Sequence, residues 1–185
     1  MTMLRNISRL PLLIVLPLLL FSMAAITEVI HEWTIRDDYQ VRFSGKAASG
    51  TFSDLAGELI FSADDLANSR IDVSVSVETI DTGNATKDKH ARGESWFDAE
   101  KYPEIRFTST DFKKQASGYL ATGQLTLHGV TKTVELPFNF IPGDNGGVFA
   151  GSLTVNRKDY GIDGNAFSWL VGKEFEVSLK VPVSW

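Results

Sequence analysis

The chain has 185 residues, 18 of them basic and 23 acidic, a formal net charge of −5 and no cysteine. That length fits one domain with enough chain to bury a sizeable core. The missing cysteines exclude a disulfide scaffold, thiol catalysis and a thiolate zinc site, and the acidic balance argues against a polyanionic partner such as nucleic acid.

Residues 1–24 have the layout of a secretory signal peptide. Arg5 and Arg9 precede an apolar run from Leu10 to Phe21, and Ser22-Met23-Ala24 supplies small residues for cleavage. The run is short for a bilayer span of ~20 residues, and Pro11 and Pro17 oppose a straight helix, so no stable membrane span is expected after cleavage. No cysteine follows for lipidation. Without the leader 16 basic residues face 23 acidic ones, a net −7. The folded domain is expected over residues 33–184, held by packing alone.

Tyr39, Val41 and Phe43 alternate with Gln40 and Arg42, the period of a half-buried strand. Thr51 to Phe61 holds two short apolar pieces around Gly57, a residue that bends or bulges a strand. Ile71 to Val77 is the plainest strand: Ile71, Val73, Val75 and Val77 share one face, and β-branching favours extended backbone. Thr86 to Phe97 is the one substantial helical stretch. Tyr102-Pro103 ends it, and Ile105 and Phe107 begin the next strand. Leu120–His128 and Thr133–Phe140 flank a hairpin connection at Gly129–Lys132. Pro142 to Gly147 is a turn by composition, Val148–Asn156 a strand after it, and Phe175 to Val183 alternates to the end. These signals predict an all-β fold with one short helix: about eight antiparallel strands closed into a barrel, which covers the apolar face and removes the edges. Side chains just fill the interior of an eight-stranded barrel, or it holds one slender ligand. Both arrangements satisfy the 12 Phe, four Trp and four Tyr.

A search for chemistry finds little. There is no Gly-x-Ser-x-Gly elbow, and His31, His90 and His128 lack metal-ligand spacing, so no metal, cofactor or enzymatic activity is expected. Asp81, Asp88, Asp98 and Asp159 read as turn and capping carboxylates. The charged stretch Lys87–Thr110 is the longest interruption of the strand pattern. It reads as a cap at one end of the barrel, with Trp96 and Phe97 docked on the apolar rim.

Three blocks carry a family resemblance. They are Ile80-Asp81-Thr82-Gly83 through Asp88-Lys89-His90 and Trp96-Phe97-Asp98-Ala99 to Tyr102–Phe107; Gly123-Gln124-Leu125-Thr126-Leu127-His128-Gly129-Val130-Thr131-Lys132; and Val155-Asn156-Arg157-Lys158-Asp159-Tyr160-Gly161-Ile162. In this order they resemble the YceI-like family over most of Trp33–Val183. The resemblance implies an eight-stranded antiparallel lipocalin-like β-barrel with a helix by its opening. It also implies export to the periplasm of a Gram-negative bacterium and binding of a long amphiphile, polyisoprenoids being the family's named ligand class. It implies no enzymatic activity. The family often has a His-Ser pair in its first strand, where Asp38-Tyr39 stands here.

The leading expectation is a periplasmic protein that holds a polyisoprenoid or other amphiphilic lipid. Alternation and size nominate Phe43, Phe52, Val73, Val75, Phe107, Leu125, Phe138 and Phe175 as cavity walls. His90, Arg92, Trp96, Phe97 and Arg157 are nominated for the mouth or head group, Arg157 having a rival role in pairing with Asp159 or capping loop carbonyls. A lipid-modifying enzyme in the same cavity and an interaction barrel with a filled core are the alternatives.

Overall fold

The computed structural model describes residues 32–166 and 168–185; the expected leader, residues 1–24, lies outside them. Ten antiparallel strands form one curled sheet: β1 (Thr34–Ile35), β2 (Gln40–Gly45), β3 (Ser49–Phe52), β4 (Ala56–Ile60), β5 (Arg70–Ser76), β6 (Glu104–Lys114), β7 (Tyr119–Leu127), β8 (Val130–Gly143), β9 (Gly146–Asn156) and β10 (Glu174–Ser184). Two short helices, α1 (Ala85–Arg92) and α2 (Ser168–Val171), lie outside it. The strand order is β3-β2-β10-β9-β8-β7-β6-β5-β4, with β1 beside β10. Neighbours from β4 to β9 follow chain order; short turns join β6 through β9, whereas β5 and β6 are joined by the long connection that carries α1. His128 and Gly129 both adopt positive φ (52° and 73°), so the β7–β8 turn is two residues long and Val130–Lys132 belongs to β8.

The edges β3 and β4 do not pair with each other. The seam is stitched at both ends instead. Glu32 bridges Ile60 while β1 pairs with β10, and Thr51 bridges Asp81 through bonds of 2.9 and 3.0 Å. The sheet is therefore barrel-like. It has more strands than the eight expected because β1 is only two residues long and the Thr51–Phe61 pattern divides into parts of β3 and β4. Gly57, at φ 133°, sits inside β4, where a Cβ would strike the backbone of Asp72. In β6 the register shifts between Ser109 and Asp111. That one extra residue lets Phe107 and Phe112, an odd number apart, both reach the interior.

The two ends of the barrel differ. One end is plugged by aromatic rings. Phe61 is 1% exposed and packs edge-on against Tyr119, Phe138, Phe140 and Phe149 at centroid distances of 5.1–5.6 Å. Trp33 covers the plug and donates its indole N–H to the Phe61 carbonyl at 2.9 Å. The opposite end is ringed by the β2–β3 turn, α1, Trp96–Phe97 and the loop that carries α2.

Candidate functional site

The lumen beyond the plug is hollow. An inner cavity of about 150 Å³ opens into an outer chamber of about 660 Å³. Six residues border both: Val41, Val75, Ile105, Leu125, Leu153 and Val177. Each comes from a different strand (β2, β5, β6, β7, β9 and β10), so together they form an apolar waist. Inner cavity and outer chamber meet along this shared wall, and Phe138 and Phe149 of the plug line the inner one. The outer chamber has the size of a small-molecule site, and the inner one is walled almost wholly by hydrocarbon.

All eight wall candidates border this lumen. Val73, Phe107 and Phe138 line the inner cavity, Val75 and Leu125 the waist, and Phe43, Phe52 and Phe175 the outer chamber. The rings do not fill the lumen because of what stands beside them. Phe175 pairs across the ladder with Gly45, and Phe43 with Gly50. A Cβ on Gly45 would stand 2.6 Å from the Phe175 ring, and one on Gly50 would stand 2.7 Å from the Phe43 ring. Each ring therefore lies back over a bare stretch of the neighbouring strand. Phe43 also contacts Phe52 at 5.4 Å and Phe175 at 6.1 Å, giving the chamber a continuous aromatic wall.

The cap is built locally. Asn84 starts α1 by accepting from the backbone N–H groups of Thr86 and Lys87, both at 3.1 Å. Asp88 accepts from the Thr82 hydroxyl at 2.6 Å and the Thr82 N–H at 2.8 Å, which holds its carboxyl below the usual carboxylate range. The helix ends at Gly93, earlier than the pattern to Phe97 predicted, because the chain turns back: Phe97 N–H donates to Ala91 O and Ala99 N–H to Arg92 O. Trp96 and Phe97 consequently sit on the turn beyond the helix. Phe97 packs edge-on against Phe52 at 5.8 Å, and both border the outer chamber.

Of the mouth candidates, His90 lines the chamber and Arg92 does not. The Arg92 guanidinium is drawn to the Glu78 carbonyl at 3.1 Å and the Glu78 carboxylate at 3.4 Å, away from the opening. Arg157 lines the chamber but is only 5% exposed. Its guanidinium donates to four carbonyls: Gly172 at 2.7 Å, Ile162 at 2.6 Å, Asp163 at 2.8 Å and Ser168 at 3.0 Å. It also lies 5.1 Å from the centre of the Trp96 ring. Burial pushes its pKa down from the ordinary arginine value. Arg157 thus clamps the loop between β9 and β10, the carbonyl-capping role, and its bonds go to carbonyls, not to Asp159. His128 lies elsewhere, its Nδ1–H donating to the Tyr160 carbonyl at 3.1 Å.

Sequence reasoning missed Lys46 and Lys87, which reach the mouth from the β2–β3 turn and from α1. Among the described residues no Asp or Glu lines either cavity, and no group of His, Cys, Asp and Glu could hold a metal ion. No helix among them is long and apolar enough to cross a membrane.

Comparison with known proteins gives the family and the fold. A YceI-like domain model matches residues 33–183. A UPF0312 protein of Photorhabdus laumondii is 45% identical over 87 residues, 47% of this chain and 45% of that protein. One of Serratia proteamaculans is 37% identical over 119 residues, 61% of this chain and 62% of that protein. The chain thus spans roughly half of these curated relatives. Among solved structures, Burkholderia cenocepacia BcnA superposes with a TM-score of 0.72 at 22% identity, over 80% of this chain and 96% of that one. A Campylobacter jejuni YCEI protein gives 0.67 at 22%, over 74% and 84%. A polyisoprenoid binding domain from Saccharophagus degradans gives 0.60 at 14%, over 83% and 97%. At these identities the likeness is one of fold.

Proposed function

The chain belongs to the YceI-like family, and from that membership and the blind apolar tunnel we propose that it binds one long amphiphile, tail inward, as an exported carrier or scavenger. One observation carries this reading: the lumen is hollow past a six-strand waist, while its far end is sealed by aromatic rings. An interaction barrel with a filled core would not keep such a space. Binding works by burial. Each CH₂ moved from water into the lumen contributes roughly 0.8 kcal/mol, so about ten buried carbons supply ~8 kcal/mol before ordering costs. A polyisoprenoid is the tail chemistry we favour, supported by the description of the Saccharophagus neighbour and by the hydrocarbon walls. The wall residues are Phe43, Phe52, Val73, Val75, Phe107, Leu125, Phe138 and Phe175, with His90, Trp96 and Phe97 at the mouth. We place the protein in the periplasm, residues 1–24 acting as a cleaved signal peptide.

The test is native mass spectrometry of the protein purified from its own periplasm, followed by organic extraction. A co-purifying lipid of defined mass is expected. A clean apo mass, with no gain after incubation with prenyl lipids, overturns the proposal.

A further inference from the structure

We infer that the rim around α2 docks the barrel, mouth first, on an anionic lipid bilayer, with Trp169 and Leu170 entering the interfacial layer. This names the surface from which the amphiphile is taken. It rests on the tunnel reading above for its use, but not for the docking surface itself.

Four large apolar side chains are exposed among the described residues: Ile141, Trp169, Leu170 and Trp185. Trp185 rests against Trp33 over the plug, at 5.4 Å, and Ile141 pairs with Val148 next to the plug residues Phe140 and Phe149. Trp169 and Leu170 stand at the other end, 69% and 46% exposed, on the single turn of α2. Their exposure is built into the fold. The Arg157 guanidinium donates to the carbonyls of Ser168 at 3.0 Å and Gly172 at 2.7 Å, on either side of the pair, and the Arg157 N–H donates to Lys173 O at 2.9 Å. The backbone is thus tied inward while the Trp and Leu side chains are left outside.

One exposed apolar side chain is ordinary, but this pair is continuous with an apolar opening. Leu170 and Val171 border the outer chamber, and so do Ala47 and Ala48 of the β2–β3 turn. That turn lies alongside the end of α2, where a Cβ on Gly172 would stand 3.3 Å from the Lys46 Cβ. Lys46 and Lys173 flank the patch. Both are exposed, and neither takes part in an ion pair among the described residues. Of the nearby acids, Asp163 is held by Lys158 at 2.7 Å, and Glu174 follows Lys173 into the β10 ladder opposite Asn156. Tryptophan beside lysine suits a membrane interface: the indole rests at head-group level and the ammonium meets lipid phosphates. A protein partner fits less well. A stable protein interface buries about 800 Å² on each side, more than two side chains supply, whereas a bilayer needs no complementary shape. Docked in this way, the mouth faces the lipids, and a tail can enter the lumen without crossing water. Crossing water would slow transfer by about fourfold for each CH₂ exposed.

The test sediments the mature protein with sucrose-loaded vesicles of phosphatidylethanolamine and phosphatidylglycerol, about three to one, that contain no prenyl lipid. Reversible binding is expected, weakened about tenfold in W169S and about fivefold for each lysine lost in K46Q/K173Q. Tryptophan emission should be quenched by brominated acyl chains in the unmodified protein, and this quenching should vanish in W169F. Trp169 does not border the lumen, so W169S should keep its thermal melt and its affinity for the neutral fluorophore N-phenyl-1-naphthylamine, which reports the tunnel. Failure to bind the vesicles, equal binding by W169S, or quenching that survives in W169F overturns the inference. A dimer in sedimentation velocity that W169S dissolves also overturns it, by giving the patch to a second copy. The two readings fail separately. A lipid found by mass spectrometry without vesicle binding leaves the tunnel and removes the docking, and vesicle binding by a protein that takes up no prenyl lipid does the reverse.

Discussion

Narrowing the waist should shorten the chain that the protein can hold. Val177 lies on β10, opposite Phe43 of β2 and Leu153 of β9, and it is only half-buried because it borders the void. In V177F the added ring projects into the lumen, so the overpacking cost of about 1–3 kcal/mol seen in filled cores should be largely avoided. What it closes is the inner cavity of about 150 Å³. At ~30 Å³ per small group, that space holds roughly five methylenes. At ~0.8 kcal/mol each they supply about 4 kcal/mol gross, and about half of that after ordering costs, or about thirtyfold in affinity. Displacement of N-phenyl-1-naphthylamine by n-alkanols of graded length reads this out. In the unmodified protein affinity should climb by up to about fourfold per carbon until the lumen is full. In V177F the climb should stop about five carbons sooner, with short chains bound equally well. The same plateau in both proteins would show that tails never pass the waist. A uniform loss at every length would show that the substitution acts on the mouth.

Other perturbations probe the parts that keep the lumen in shape. Phe61→Ala removes the centre of the plug and should cost about 3–5 kcal/mol in chemical denaturation, the range for truncating a buried ring. Arg157→Lys keeps the charge but cannot reach four carbonyls, so amide exchange across residues 161–172 should quicken while strands far from the loop stay protected. Asp72 donates nothing and accepts two bonds from Arg106, at 2.7 and 2.8 Å; that pairing holds its carboxyl below the ordinary value. A depressed carboxylate contributes stability above its unfolded pKa of ~3.9 and loses it as pH falls through the folded value. Asp72→Asn should therefore cost about 1 kcal/mol near neutral pH and flatten the acid limb of a stability–pH profile below pH ~4. An unchanged acid limb would refute the role given to Asp72.

The strands were legible where burial is one-sided. In β5 and β10 the valines alternate with serines, lysines and glutamates, and the period alone fixes the inward face. It failed where the period is broken. The extra residue in β6 at Ser109–Asp111 resets the alternation without any glycine or proline to announce it. β1 is too short to show a period, and α2 owes its place to a clamp from Arg157, eleven residues earlier than Ser168. Hollowness could not be read at all. Phe43 and Phe175 look like core fillers, and only the ladder shows that they lie over Gly50 and Gly45. Lys46 and Lys87 were invisible for a similar reason: a lysine beside a turn or on an exposed helix is ordinary until the seam brings the two to one opening.

With the lumen plugged around Phe61, the proposed function makes the opposite mouth its doorway, and this would set the kinetics of exchange. On the proposed function, cargo would leave by the way it came in, so a newcomer could not push it out from behind. The off-rate of a bound tail should then be the same at any concentration of competitor. Such a barrel can store a molecule or hand it over, but it cannot serve as a conduit. Turnover would be governed by whatever loosens the rim formed by α1, Trp96 and the Arg157 loop.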